Sequence, residues 1–464
     1  MEQPGYFTSD EKPTWQYSQD EIAEAVDLNS ANKIFSLELP EFGPYVFKYS
    51  NDGNFILLGG RKGHVAHFNW KTSNLLCELH LKETVRDVTY LHNETMFTVA
   101  QKKEAHIYDQ AGVEIHRIKE HSFPHKLDFL PYHFLLVTTD NLGTIRWQDT
   151  STGQMIASHS HTNGIAHALV QNRTNAIMFT GHQNGSVALW SPSVKEPVVK
   201  LLAHTGAVND VAVSFDGLYC ATAGIDNSLK IWDIRMFKEI RKTHTFKNVR
   251  SLDWSQTGLL ASASEDTVSI WKLGELYMQH RVPKARRTKT PTGSTQFPSI
   301  ERVRFCPYED FLGISTIYGF SSVAIPGAGE ANFDSREANP YQTRKQRREK
   351  TVVKLLDKIP PELITLNPNE ITNISGLGKE YEQKKREMDF KRRYPGKDYL
   401  SSRQRKGKKA PTVEAKKQKA VIDAKSAEFE EQRIEETMIE EERRRKLKEL
   451  PPEPEDALQR FRKT

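Results

Sequence analysis

Six short β-rich segments that end in an aromatic residue recur along this chain, and their spacing restricts the fold more than any other feature. They are HVAHFNW ending at Trp70, EAHIYD with Tyr108, TIRWQD with Trp147, SVALW ending at Trp190, LKIWD with Trp232 and TVSIWK with Trp271. Successive anchors lie 38, 39, 43, 42 and 39 residues apart, close to the ~40–45 residues of a four-stranded propeller blade. Two further β-rich runs precede each anchor. In the clearest copy they read AVNDVAVS, FDG, YCATAG, a tight turn at 225–228, then LKIWD.

A seventh copy follows a spacer, in IERVRFCPYEDFLGISTIYGFSSVAIPG at 300–327, with the same order of runs and turns but no Trp. It lacks an outer strand, and KIFSLEL at 33–39 is a strand without a blade. Pairing the two closes a ring and hides an otherwise open sheet edge. The expected architecture is all-β, a seven-bladed WD40 β-propeller with a basic C-terminal extension that is mostly helical or disordered. Its boundaries are an acidic segment at 1–31, the propeller at 32–328 with 32–39 closing the last blade, a short-helix region at 329–370 and a charged tail at 371–464.

The copy at 204–233 resembles the WD-repeat consensus. That resemblance implies a hydrogen-bonded tetrad of His204, Thr222, Asp226 and Trp232, a structural role in which a satisfied polar network specifies one packing. A catalytic His–Asp reading of the same residues finds no nucleophile elbow beside them.

The remaining motifs argue against an enzyme. There is no GxxxxGK[ST], HExxH or GxSxG, and the glycines of PGAGEAN (326–332) and GLGK (376–379) do not complete GxGxxG. His116, His121 and His125, with His159, His161 and His167, fall where outer strands pass into the next blade, where WD repeats carry structural histidines. No cofactor, metal or small-molecule substrate is therefore expected. Cys77, Cys220 and Cys306 are odd in number and form no CxxC, which suits a reducing compartment. No stretch has the ~18 apolar residues of a membrane span.

Charge is uneven. Residues 341–464 hold 33 Lys and Arg against 23 Asp and Glu, whereas the first 340 hold 33 against 37. A basic arm on a near-neutral body points to nucleic acid or an acidic partner. The arm opens with a helical pattern near 343–358, where Val352, Leu355, Leu356 and Ile359 form an apolar stripe ended by Pro360 and Pro361. Its first half bears Arg344, Lys345, Arg347 and Arg348. One face can pack on the propeller while the other meets phosphates; a docked helix with a solvated polar face is equally compatible.

Residues 379–425 carry 17 Lys and Arg against 7 Asp and Glu, with Tyr381, Phe390, Tyr394 and Tyr399 interleaved. Lys391, Arg392, Arg393, Arg403, Arg405, Lys406, Lys408 and Lys409 are candidate RNA contacts, since cations track a phosphate backbone and rings stack on unpaired bases. RQRKGKK also reads as a nuclear-import signal. Residues 428–450 read as a charged helix. On the propeller, Arg61 with Lys62 and Lys102 with Lys103 occupy matching turns of adjacent blades, either as a binding rim or as ordinary soluble turn residues.

Ordered blocks then resemble one family. They are LPEFGPYVFKYSNDGNFILLGGRKGHVAHFNW (39–70), VAQKKEAHIYD (99–109), KLDFLPYHFLLV (126–137), WSPSVKEPVVKLLAHTG (190–206) and IPGAGEANFDSREANPYQTRKQRREK (325–350), with ALQRF (457–461) near the end. The family is the nucleolar WD-repeat proteins with a BING-type C-terminal region, components of the small-subunit processome. The resemblance implies a non-enzymatic scaffold in the nucleolus. Its implied partners are processome proteins, other WD-repeat proteins among them, with pre-rRNA and a box C/D small nucleolar RNA, in maturation of 18S rRNA.

Two departures stand out. Residues 1–30 hold one Lys against seven acidic residues where the family carries a long basic extension, which puts contacts made by that extension in question. Residues 371–455 match no family motif. The alternative is a general WD40 adaptor, such as a ubiquitin-ligase substrate receptor or a chromatin-binding module, which requires neither GGRKGHVA, PGAGEAN nor a basic arm.

Overall fold

Turns at regular intervals cut the chain into runs of four to seven residues, and a computed structural model shows them assembled into seven four-stranded antiparallel sheets. It describes residues 5–8, 12–282, 299–332, 339 and 341–366. The chain forms two units, 1–373 and 374–464, and all the described residues belong to the first.

Blades 1 to 6 span residues 45–80, 87–118, 124–160, 166–202, 208–244 and 249–281, each running from an inner strand at the channel to an outer one. Blade 7 takes three strands from 300–324 and its outer strand, Phe35–Glu38, from the other end of the propeller. Phe35 pairs with Ser322 and Glu38 with Gly319. The expected ring and its seven blades are thus what the chain forms.

Four of the six anchors are buried in the blades, and Trp232 and Trp271 are partly buried. Trp70, Trp147 and Trp190 are at most 1% exposed and Tyr108 is 3% exposed. Burial of a ring this large contributes roughly 1.5–3 kcal/mol. Neighbouring blades are also stapled at the channel by carboxylates. Asp87 accepts from the Leu127 amide of blade 3 at 3.0 Å, and Asp128 from the Gln171 amide of blade 4 at 3.1 Å. Asp210 accepts from the Leu252 amide of blade 6 at 2.9 Å, and Asp253 from the Phe305 amide of blade 7 at 2.6 Å. Three of these carboxylates also hold cations: Arg302 on Asp87 at 2.7 Å, Lys48 on Asp128 at 2.6 Å and Arg304 on Asp253 at 2.8 Å. Burial acts to raise the Asp87 pKa, but Arg302, Lys126 and the Leu127 amide outweigh it and hold it at about 2.

The segment before the closing strand packs on the last two blades. Tyr6 Oη donates to the Thr257 carbonyl at 3.1 Å, Thr14 Oγ1 to that of Tyr277 at 2.6 Å and Gln19 Nε2 to that of Ala324 at 3.1 Å. Ile22, 6% exposed, joins the core between blades 6, 7 and 1.

Buried histidines make the stability depend on pH. Burial pushes His67, His121 and His125 down to about 4 and His182 down to about 3. Below the ordinary value of 6.5 the unfolded chain takes up protons that the folded chain refuses. The stabilisation is therefore complete above pH 6.5 and falls as pH drops towards 4, by about 1.4 kcal/mol per pH unit for each histidine. Thermal unfolding followed by circular dichroism should show a midpoint that falls markedly from pH 7 to pH 5; an unchanged midpoint would contradict this.

Candidate functional site

A hydrogen-bond chain runs through blade 5. Trp232 Nε1 donates to Thr222 Oγ1 at 3.0 Å, Thr222 Oγ1 lies 2.9 Å from His204 Nε2, and His204 Nδ1 lies 3.0 Å from Asp226 Oδ1. Because the Thr222 oxygen already accepts from the indole, its hydrogen points at Nε2, and the imidazole proton sits on Nδ1, facing Asp226. Burial lowers the His204 pKa while Asp226 opposes it, so the ring is neutral with both nitrogens engaged. Partial copies recur: Trp190 Nε1 donates to Thr180 Oγ1 at 2.9 Å, Trp271 Nε1 to Ser262 Oγ at 2.8 Å, and His121 Nδ1 meets Thr138 Oγ1 at 2.5 Å. These residues lie in the blades or in the connections between them, and no group of three or more metal-ligating side chains occurs among the described residues.

The two ends of the ring carry the candidate contact residues. At one end lie the turns between second and third strands. Arg61 and Lys62 occupy such a turn in blade 1 and Lys102 and Lys103 in blade 2, and all four are exposed. Gly63 (φ 103°) is required in the first turn, because a Cβ there would stand 2.0 Å from the Leu81 carbonyl oxygen. The two pairs differ in freedom: Lys62 Nζ donates to the Glu41 carbonyl at 2.8 Å, while Arg61 faces Arg86.

The opposite end carries a strap. The helix Arg344–Leu356 starts at Thr343, whose hydroxyl accepts from the Gln346 amide while Gln346 reaches back to the Thr343 amide. It docks by the face opposite its apolar stripe. Arg347 pairs with Glu94 at 2.6 Å and Asn93 Nδ2 donates to Thr351 Oγ1 at 2.8 Å. Val352, Val353, Leu355, Leu356 and Ile359 are all exposed. The cause is electrostatic: Arg347, Lys350 and Lys354 lie over Asp52 and Glu94, and Glu94, 5% exposed, requires a cation. Asp52 is raised by burial and by Glu94 against the pull of those cations.

Beyond the helix the chain crosses blades 3 and 4. Ile359 N donates to the Tyr132 carbonyl at 3.1 Å, Lys358 pairs with Asp149, and Ser191 Oγ donates to the Ile364 carbonyl at 2.7 Å. Ile364 is 1% exposed. A cavity of about 440 Å³ fills this end of the channel, lined by Lys48, Asp87, Asp128, Arg302 and Arg304, with Lys354 at its edge.

Of the cations that sequence singles out on the helix, Arg347 is engaged with the propeller, Lys345 lies 3.9 Å from Glu349, and Arg344 and Arg348 are exposed. Lys391, Arg392, Arg393, Arg403, Arg405, Lys406, Lys408 and Lys409 lie outside the described residues. Sequence reasoning passes over the inter-blade carboxylates, although each stands in an inner strand as RDV, LDF, NDV or LDW.

Comparison with known proteins bears on both ends. Residues 292–367 match the BING4CT (NUC141) domain, and 195–233 and 237–272 match the WD domain, G-beta repeat. U3 small nucleolar RNA-associated protein 7 of Saccharomyces cerevisiae is 44% identical over 370 residues, 78% of this chain and 67% of that protein. WD repeat-containing protein 46 is 40% identical in Homo sapiens over 82% of this chain and 62% of that protein. In Caenorhabditis elegans it is 39% identical over 83% of this chain and 66% of that protein. The aligned part of the chain thus spans about two thirds of the length of these relatives.

Two substitutions separate blade from strap. Thr222→Val should lower stability by about 1–3 kcal/mol, since it strands the Trp232 indole. Ile364→Ala should cost about 2–5 kcal/mol of strap docking, so limited proteolysis should cut within 341–366 while the propeller survives. Cleavage spread evenly over the blades would refute the second expectation.

Proposed function

This chain belongs to the family of WD-repeat proteins with a BING4CT domain that includes U3 small nucleolar RNA-associated protein 7, and from that membership we propose a non-catalytic scaffold in assembly of the small ribosomal subunit. The observation that carries the reading is the alignment at 44% identity over 370 residues with a relative named for its association with U3 small nucleolar RNA. Family models match two of the propeller's repeats, at 195–233 and 237–272, and the segment at 292–367 that contains the last blade and the strap.

The geometry agrees with a scaffold. A ring closed by its own first strand presents two rigid ends, and a partner that binds there need not order the backbone that carries the contact residues. In this reading the protein works in the nucleolus with other processome proteins, pre-rRNA and a box C/D small nucleolar RNA, towards mature 18S rRNA. RNA is met by the exposed Arg344, Lys345 and Arg348 of the strap helix, and by the basic residues of the arm from Lys391 to Lys409.

Two measurements test this. Depletion of the protein should lower 18S rRNA several-fold and leave large-subunit rRNA nearly unchanged; equal loss of both would refute the role. RNA binding by the full chain should weaken steeply with salt. Replacing Arg403, Arg405, Lys406, Lys408 and Lys409 by Gln should flatten the log–log slope by several units, at about 0.7 for each phosphate no longer neutralised. An unchanged slope would mean that the arm does not meet the RNA.

A further inference from the structure

In five blades the inner strand opens with a β-bulge, at 124/126, 166/168, 208/210, 249/251 and 300/302. The residues left out of the ladder are His125, His167, Asn209, Arg250 and Glu301, and Arg86 stands just before the inner strand of blade 2. A bulge re-aims the side chain it releases. Here Arg86, His125, Asn209 and Arg250 each meet the blade that follows, and His167 and Glu301 receive two of these contacts. Arg86 Nη1 donates to the carbonyls of Phe123 and Pro124, both at 3.3 Å, and the His125 and His167 rings lie 6.2 Å apart. Asn209 Nδ2 donates to Asn248 Oδ1 at 2.6 Å, and Arg250 pairs with Glu301 at 3.0 Å. Together they ring the channel mouth at the end away from the strap.

The ring has a neutral side and a cationic side. Glu301 neutralises Arg250 on the first. On the second stand Arg86, the exposed Arg61 facing it, and Lys126; among the described residues neither the Arg61 nor the Lys126 side chain has a hydrogen bond or ion pair. The nearby Asp87 is already taken by Arg302 and by the amides of Val88 and Leu127. Burial and Arg302 pull the Lys126 pKa down against Asp87 and Asp210, and burial and Arg61 lower that of Arg86. A bound anion would relieve this crowding. His125, held at about 4 by burial, adds hydrogen-bonding nitrogens without charge.

An aromatic ring completes the sector. Phe123 is 47% exposed and has φ 50°, a left-handed conformation unusual for a bulky residue. Its backbone is clamped: its N–H donates to the Lys103 carbonyl at 2.7 Å and its carbonyl accepts from Arg86. Strained backbone around an exposed ring is the kind of outlier found at ligand sites. Lys102 and Lys103 stand exposed beside it.

We propose that this sector binds single-stranded RNA, with an unpaired base stacked on Phe123 and the adjoining phosphates held by Arg86, Arg61 and Lys126. The inference rests on the RNA-contact reading above but moves one contact from the arm to the propeller. An aromatic face accepts any base, and clustered cations beside it track the backbone. A duplex offers no free base face, so single strands are preferred.

The test uses the full chain carrying Phe123→Trp, titrated with a short oligouridine and with an RNA duplex, while anisotropy records total binding. Single-stranded RNA should quench the added indole fluorescence and the duplex should not. Adding Arg86→Gln and Lys126→Met should shift the quenching titration about tenfold to higher RNA concentration and reduce its salt slope by about 1–2. In the native background Phe123→Ala should weaken oligouridine binding about fivefold or more, and Phe123→Gly, which relieves the left-handed backbone, should do the same without loss of thermal stability. Binding without quenching would overturn this inference and leave the arm contact standing. No binding of either RNA would overturn both, and equal quenching by the duplex would overturn the stacking.

Discussion

Everything in this molecule depends on closure of the ring. Four residues, Phe35–Glu38, pair with Gly319–Ser322 and complete a sheet that would otherwise end in an open edge. An open edge exposes unpaired backbone groups and leaves the ring free to splay. Closure also makes the inter-blade carboxylates effective: Asp87, Asp128, Asp210 and Asp253 each reach across one blade boundary. Such short bonds persist only if the ring holds its circumference.

A closed ring has two ends, and the chain uses them differently. One end is covered by the strap, whose basic helix face meets the acidic surface around Asp52 and Glu94 and whose Ile364 enters the core of blades 3 to 5. The other end keeps Arg61, Lys102, Lys103 and Phe123 exposed. Strap docking consumes charge from the arm, whereas the open end retains it. The division explains how a chain with a modest net charge of +6 can present a locally cationic surface.

Much of the fold is legible in the sequence because its determinants are periodic. Aromatic anchors at near-constant spacing disclose the blades, and a strand without a blade at 33–39 discloses the closure. The His204, Thr222, Asp226 and Trp232 network is visible for the same reason, since each residue holds a set place in a repeat. The strap is less legible. Its stripe of Val352, Leu355, Leu356 and Ile359 suggests an apolar docking face, yet the buried Glu94 decides the orientation, and that acid lies some 250 residues away in sequence. The channel-mouth ring is hidden too, because a bulge is a feature of pairing between strands and leaves no mark in either strand alone.

Hydrogen exchange on a chain carrying Leu37→Pro tests the central claim most directly. Leu37 pairs with Phe320, and proline supplies no amide to that ladder. If closure holds the ring, amides of the inner strands Tyr45–Tyr49 and Ile300–Phe305 should lose protection together with those of Gly319–Ala324, and the other blades should follow. Loss of protection confined to Phe35–Glu38 and Gly319–Ala324 would show that the blades stand without closure, and would contradict the account.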